Sequence, residues 1–382
     1  MRILHKIGMD QIIAELPEIQ KINFQKNFLD CHDDIFICVL GFEQRAKVIP
    51  HQLSLVNYTC DETIILEYLT NKKDNEINRN ELEKSIKKFG GIITYKLYDK
   101  SFTDNFYELM RRISIKEQKT PKITFDISGC SSSLLLVILK ILLDFNISLK
   151  IVYSEAQIYH PTQKEMGDIN KIISEKGYEH YENNCGPTQG IKHIRPSKLH
   201  AGFNPDNLPN SALLFATFKP ERNRSALTEI FLEPAFDKYE KRITWIVGEP
   251  HLKEDDYRID FVKKINQIDN NSQCFTISTF NYTDCLENLE KIYETCSNYH
   301  VNVSALGSKM QTLGLALFHH IHPEITIYFS IPQKYDAEHY SEGCKAIWEI
   351  DFGEIAMLKK VLDKFGTLKI TGSELKGWFE ED

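Results

Sequence analysis

Residues 122–134, KITFDISGCSSSL, carry the reading of the fold. A short apolar run rich in β-branched residues leads into a turn of small residues, then into the start of an apolar helix. Runs of this kind suit strands buried on both faces, as in a parallel sheet covered by helices. The same grammar returns at residues 300–318, HVNVSALGSKMQTLGLALF.

Outward from the first stretch, further runs predict strands at 35–40 (IFICVL), 63–69 (TIILEYL), 92–97 (IITYKL) and 149–153 (LKIVY). Helical patterns lie between them at 79–89, 103–113 and 134–143, and residues 1–30 read as an amphipathic helical lead-in. Strands alternating with helices predict βαβ units and a mainly parallel sheet. The pattern restarts after residue 210, with runs at 212–216 (ALLFA), 243–247 (ITWIV), 274–279 (CFTIST), 301–305 and 325–329 (ITIYF). Details align too: Thr103-Asp104 with Thr283-Asp284, Gly129 with Gly307, and Arg45 with Arg222. Asp104 and Asp284 read as helix N-caps.

A collinear match over about ten elements predicts an internal duplication. The expected fold class is therefore α/β: two tandem Rossmann-like units, each with a mainly parallel five-stranded sheet. Residues 181–210 lose hydrophobic periodicity and fill with Pro, Gly, Asn and His, so they are expected to be a linker. That places one unit at 1–180, the other at 211–352, and a C-terminal helix with a tail at 353–382.

The chain has 382 residues and a net charge of −8, which argues against wholesale nucleic-acid backbone binding and so against direct DNA binding. Its nine cysteines form no CxxC pair, which fits a reducing cytoplasm and removes the zinc-ribbon reading. No stretch has about 18 uninterrupted apolar residues, so no membrane span is expected. The charged N-terminus does not read as a signal peptide.

In open parallel sheets ligands bind beyond the carboxyl ends of the strands. Four turns occupy that edge: Gly41-Phe42-Glu43-Gln44-Arg45, Ser128-Gly129-Cys130-Ser131-Ser132-Ser133, Phe218-Lys219-Pro220-Glu221-Arg222 and Gly307-Ser308-Lys309-Met310-Gln311-Thr312. Small residues let a ligand approach the backbone, and helix N-termini with hydroxyls favour a phosphate or carboxylate. Arg45, Arg222 and Lys309 add charge. Expected ligand contacts are thus Gly41, Phe42, Arg45, Ser128, Gly129, Ser131, Ser132, Arg222, Gly307, Ser308 and Lys309, with Asp126 and Lys309 as catalytic candidates. The competing reading gives the glycines a packing role and makes the serines helix caps. The run His319, His320, His322 lacks the i, i+4 spacing of helical zinc sites and reads as structural. No metal or cofactor is expected.

The stretch SALGSKMQTLGLALF resembles the turn of CARF (CRISPR-associated Rossmann fold) domains, where a sequence of the form TGGTKxMSLAL follows the fourth strand. Gly307-Ser308-Lys309-Met310 carries the match, and the first copy has no lysine. The resemblance implies two domains paired about a two-fold axis, binding a cyclic oligonucleotide with the loops after strands one and four. It further implies a nucleotide sensor of a prokaryotic antiviral defence system that signals to a protein partner carrying the effector activity. Two alternatives stand beside it: a metal-independent phosphodiesterase using the same cleft, and a non-catalytic subunit of a defence complex that docks through the tail at 377–380, GWFE.

Overall fold

A computed structural model describes residues 2–116, 119–184, 188–232, 240–336 and 340–377. Its strands are β1 (Gln20–Lys21), β2 (His32–Leu40), β3 (Thr59–Tyr68), β4 (Gly90–Tyr98), β5 (Lys122–Asp126), β6 (Ser148–Glu155), β7 (Ile158–Tyr159) and β8 (Thr188–Pro196). They continue with β9 (Asn210–Phe215), β10 (Ile243–Glu249), β11 (Gln273–Ser278), β12 (His300–Ser304), β13 (Thr326–Tyr335), β14 (Ser341–Glu342) and β15 (Ala346–Glu354). The helices are α1 (Arg2–Ile13), α2 (Phe24–Asn27), α3 (Val48–Leu53), α4 (Lys72–Ile86), α5 (Phe102–Lys116), α6 (Ser132–Leu142) and α7 (Gln163–Lys176). After these come α8 (Tyr178–Asn184), α9 (Pro220–Phe231), α10 (Tyr257–Ile265), α11 (Tyr282–Thr295), α12 (Lys309–Ile321) and α13 (Ile355–Gly377).

The first sheet runs β1-β15-β6-β5-β2-β3-β4 and the second β11-β10-β9-β12-β13-β8. Each contains five parallel strands, β2 to β6 and β9 to β13, in the same spatial order. Numbered within a unit, that order is 3-2-1-4-5 in both, so the chain is α/β with two tandem Rossmann-like units, as the duplicated pattern predicts. The central strands explain why their sequences are continuously apolar. β5 and β12 are buried from their second residue onward, and β2 from its third.

The added strands are antiparallel and were not visible in the sequence. β8 lies within the expected linker at 181–210, yet it pairs along β13 of the second sheet. β15 lies within the expected second unit at 211–352, yet it pairs along β6 of the first sheet. The expected boundaries at 210 and 352 fall inside β9 and β15, and that at 180 inside α8. After β15 the chain enters α13, which packs on α1 and α12 and so closes the chain across both units. Of the tail expected to dock a partner, Gly377 ends α13 and residues 378–380 lie outside the described residues.

One hydrophobic core joins the two halves. Leu134, Leu135 and Ile138 of α6, Leu313 and Leu317 of α12, and Phe125 and Val303 of the sheets belong to it. α6 is apolar nearly all round, Lys140 aside, because it is buried nearly all round, packed against α12 and α5. The N-cap expectation for the acidic residues is corrected. α5 begins at Phe102, which leaves Asp104 inside its first turn, and Asn281 caps α11, accepting from Thr283 N (3.0 Å). Asp284 instead accepts from Ser278 N (2.8 Å). Among the described residues no helix is long and apolar enough to cross a membrane.

Candidate functional site

The carboxyl ends of β5 and β6 and of β9 to β13 meet at one cavity of about 910 Å³. That is in the range of roughly 300–1,000 Å³ for small-molecule sites. Its roof comes from the two connections that leave the fifth strands, which pair with each other as β7 and β14. The floor is the contact between α6 and α12, where Ser132 Oγ donates to Gly307 O (3.4 Å) across the two units.

Of the expected ligand contacts, Arg45, Ser131, Ser132, Arg222, Gly307, Ser308 and Lys309 line this cavity. Gly41, Phe42, Ser128 and Gly129 do not, and neither does Asp126. Phe42 packs edge-on against Tyr340 (5.6 Å), and Asn78 Nδ2 donates to the carbonyls of Gly41 (2.8 Å) and Phe42 (3.1 Å). A Cβ on Gly129 would meet Val39 O at 3.0 Å, and one on Gly307 would meet the Phe215 ring at 2.9 Å. Both glycines are therefore required for strand-to-helix packing. Both serine caps are realised too: Ser131 accepts from Leu134 N, and Ser308 forms a capping box with Gln311.

The three basic side chains reach one cavity in different states. Arg45 is buried: its Nε (2.9 Å) and Nη2 (2.7 Å) both donate to Glu43 Oε1, and its Nη1 donates to Tyr153 Oη (3.0 Å) and Ser154 O (3.2 Å). Ser341, from the roof, donates to the same Glu43 oxygen, so this pair ties the two units together. Burial works to raise the Glu43 carboxyl, but the Arg45 and then Lys309 charges outweigh it and hold it below the usual range. Arg222 uses Nε and Nη2 on Ser330 and has no ion pair among the described residues. Lys309 is half-buried, and among the described residues its ammonium has neither a hydrogen bond nor an ion pair. Desolvation, then the Arg45 charge, pulls Lys309 down to about 8.

The cavity is basic although the chain is acidic. Six Lys and Arg side chains line it against three carboxylates, Glu155, Glu254 and Asp255. With α6, α9 and α12 beginning at its wall, the enclosed field favours an anion.

Asp126 sits beneath this wall, 1% exposed. Its Oδ1 accepts from Ser128 N (2.9 Å) and Ser128 Oγ (2.5 Å), while Oδ2 has no partner among the described residues. Burial pushes its carboxyl up to about 7 against those bonds and the Arg45 charge. Ser128 Oγ also accepts from Ser154 N (2.9 Å), so Asp126 and Ser128 brace β5 against β6 rather than face the cavity. Away from the site, His319 packs at a tilt against His200 (4.8 Å), and His322 lies between Glu290 (2.8 Å) and Glu324 (3.3 Å). At the opposite, amino edge of the first sheet, His32, Asp34 and Asp61 lie within ion-binding reach of one another, but Lys119 (3.1 Å) already holds Asp34.

Sequence reasoning missed the cavity wall beyond β10 and β11. His251 and Phe280 stack there (4.1 Å), and Arg258 and the roof residues Tyr159 and Tyr340 also line the space. The strand-edge rule that selected the other turns applies equally to these two. They carry no glycine-hydroxyl cluster, so composition did not mark them.

No protein family matches the chain. No curated protein matches it either. Solved structures similar to it include the cytoplasmic domain of a prokaryotic cation chloride cotransporter, at 7% identity and a TM-score of 0.23, covering 81% of this chain and 98% of that one. A chain described as a short-chain dehydrogenase from Escherichia coli CFT073 follows at 9% identity and 0.19, covering 67% and 99%. An oxidoreductase from E. coli stands at 9% and 0.19, covering 75% and 99%. Likeness at TM-scores this low carries no argument about this chain.

Proposed function

We propose that the chain is a nucleotide sensor that binds a phosphate-bearing ligand in the cavity between its two Rossmann-like units. The observation that carries this reading is Lys309: a cation on the cavity wall with no hydrogen bond or ion pair among the described residues. Holding an unpaired ammonium in a desolvated place is costly, and an anionic ligand offsets that cost. The N-termini of α6 and α12, and the Nη1 of Arg222, which has no hydrogen bond among the described residues, support the same ligand charge. A sensor role in antiviral defence, with a separate effector protein as partner, rests on the resemblance of Gly307–Met310 to the CARF turn. Binding is favoured over phosphodiester cleavage because Asp126, the candidate base, is buried off the cavity and committed to Ser128.

The test is mass spectrometry of small molecules released from the purified protein, paired with calorimetric titration of nucleotides and inorganic pyrophosphate. Phosphate-dependent binding that Lys309→Ala weakens by tenfold or more is the expected result. Binding of none of these anions, or binding indifferent to Lys309→Ala, overturns it.

A further inference from the structure

The cavity is not symmetric about the two units. In the second unit the ends of β9, β10 and β11 all open onto it, through Ala216–Lys219, Gly248–Leu252 and Thr279–Phe280. In the first unit the ends of β3 and β4 do not reach it. Their place is filled by the unit's own rings: Tyr68 packs edge-on against Tyr98 (6.1 Å), and Tyr98 against Phe102 (5.2 Å).

What the second unit presents there is an aromatic shelf. The exposed imidazole of His251 stacks on Phe280 at 4.1 Å, with 24° between the planes. Trp348 of β15 braces Phe280 edge-on at 4.9 Å, and its Nε1 donates to Glu155 (2.9 Å) at the cavity wall. The shelf is joined to the lysine turn, since Ser308 Oγ donates to Thr279 O (2.6 Å), one residue before Phe280. A planar group on the shelf and an anionic group at Lys309 thus belong to neighbouring parts of one wall.

We infer that the His251–Phe280 shelf is the base-binding subsite, and that the ligand is a nucleoside phosphate carrying a single base, held by the second unit. This rests on the phosphate-binding reading of the cavity. Stacking tolerates any base, so the shelf sets the class of ligand rather than the identity of its base. A symmetric cyclic oligonucleotide would need a matching shelf in the first unit, where Tyr68 and Tyr98 stand.

The test compares inorganic pyrophosphate, ADP and cyclic di-AMP by calorimetry on the full chain, in the native protein and in His251→Ala, Phe280→Ala and Lys309→Ala. ADP is expected to bind more tightly than pyrophosphate by roughly 5- to 150-fold, the range for stacking one base. His251→Ala, a change at an exposed ring, and Phe280→Ala should each reduce that advantage and leave pyrophosphate affinity alone. Equal affinity for ADP and pyrophosphate, or an ADP advantage that survives both substitutions, removes the shelf while the phosphate reading stands. Cyclic di-AMP binding more tightly than ADP removes the single-base ligand. If pyrophosphate and ADP both fail to bind, or Lys309→Ala changes neither, the phosphate reading falls and takes the shelf with it.

Discussion

The turn after β5 and the turn after β12 start from the same plan and are finished in opposite ways. Each follows the fourth strand of its unit, passes through a glycine pressed against the first strand, and caps a helix with a serine. In the first unit Tyr68 reaches over from β3 and closes the turn: its hydroxyl accepts from Ser131 N (2.6 Å) and donates to Gly129 O (3.2 Å). In the second unit Lys309 reaches out into the cavity. A turn with the right shape therefore need not be a site. A neighbouring side chain can satisfy it from within, and the duplicated copy shows what the same turn offers when left open.

Lys309→Ala tests that contrast most directly. A charge-assisted hydrogen bond contributes about 1.5–3 kcal/mol, so affinity for pyrophosphate or ADP should fall roughly 10- to 150-fold by calorimetry. The substitution also removes a desolvated cation, so the melting temperature should not drop. Unchanged affinity would put both turns on the same footing.

Tyr68→Phe attacks the closed turn. It strands the Ser131 N–H and is expected to cost about 1–3 kcal/mol in urea unfolding. If stability does not change, the hydroxyl is not what closes the first turn. A second anion equivalent in calorimetry would show that the turn had been opened.

The acidity of Lys309 gives a pH signature that the first turn cannot produce. Its ammonium is held at about 8, below its ordinary value, so the cationic form that attracts an anion is lost as pH rises through 8. Affinity should fall by about tenfold at most between pH 7 and 9. A flat profile would assign the anion contact elsewhere.

A further contrast lies in the strand ends that precede the turns, Asp126 in the first unit and Ser304 in the second. Burial raises the Asp126 carboxyl to about 7, so the folded state holds a proton that the unfolded chain releases near 4. Its contribution to stability is present below about pH 4 and is lost as pH rises through 7. Asp126→Asn should flatten thermal stability across that window and leave pyrophosphate binding intact. A slope that persists in the variant means the titration lies elsewhere.

Much of this architecture could be read from the chain because central parallel strands are buried on both faces. IFICVL, ITFDI and ALLFA have no solvent side to encode, so they stand out as unbroken apolar runs. β8 and β15 are different. TQGIKHIRP and AIWEIDFGE are half-exposed, interrupted by charges, and their partner strands lie far along the chain. Nothing local announces such a pairing, and a polar stretch without period reads as a linker. The site divides in the same way. The turns were visible through composition, and so were the charges of Arg45, Arg222 and Lys309. Which charge is left open was not, because Tyr153, Ser330 and Tyr68 are partners that only the folded chain supplies.

The return of β15 to the first sheet also sets a timetable. When β6 leaves the ribosome, its outer edge has open N–H and C=O groups, and the strand that covers them follows about 200 residues later. At about 5–20 residues per second, that wait is roughly 10–40 s. The second sheet has no such delay, since β8 is made before β9 and is waiting when β13 arrives. The half that is synthesised first is therefore the half that is finished last.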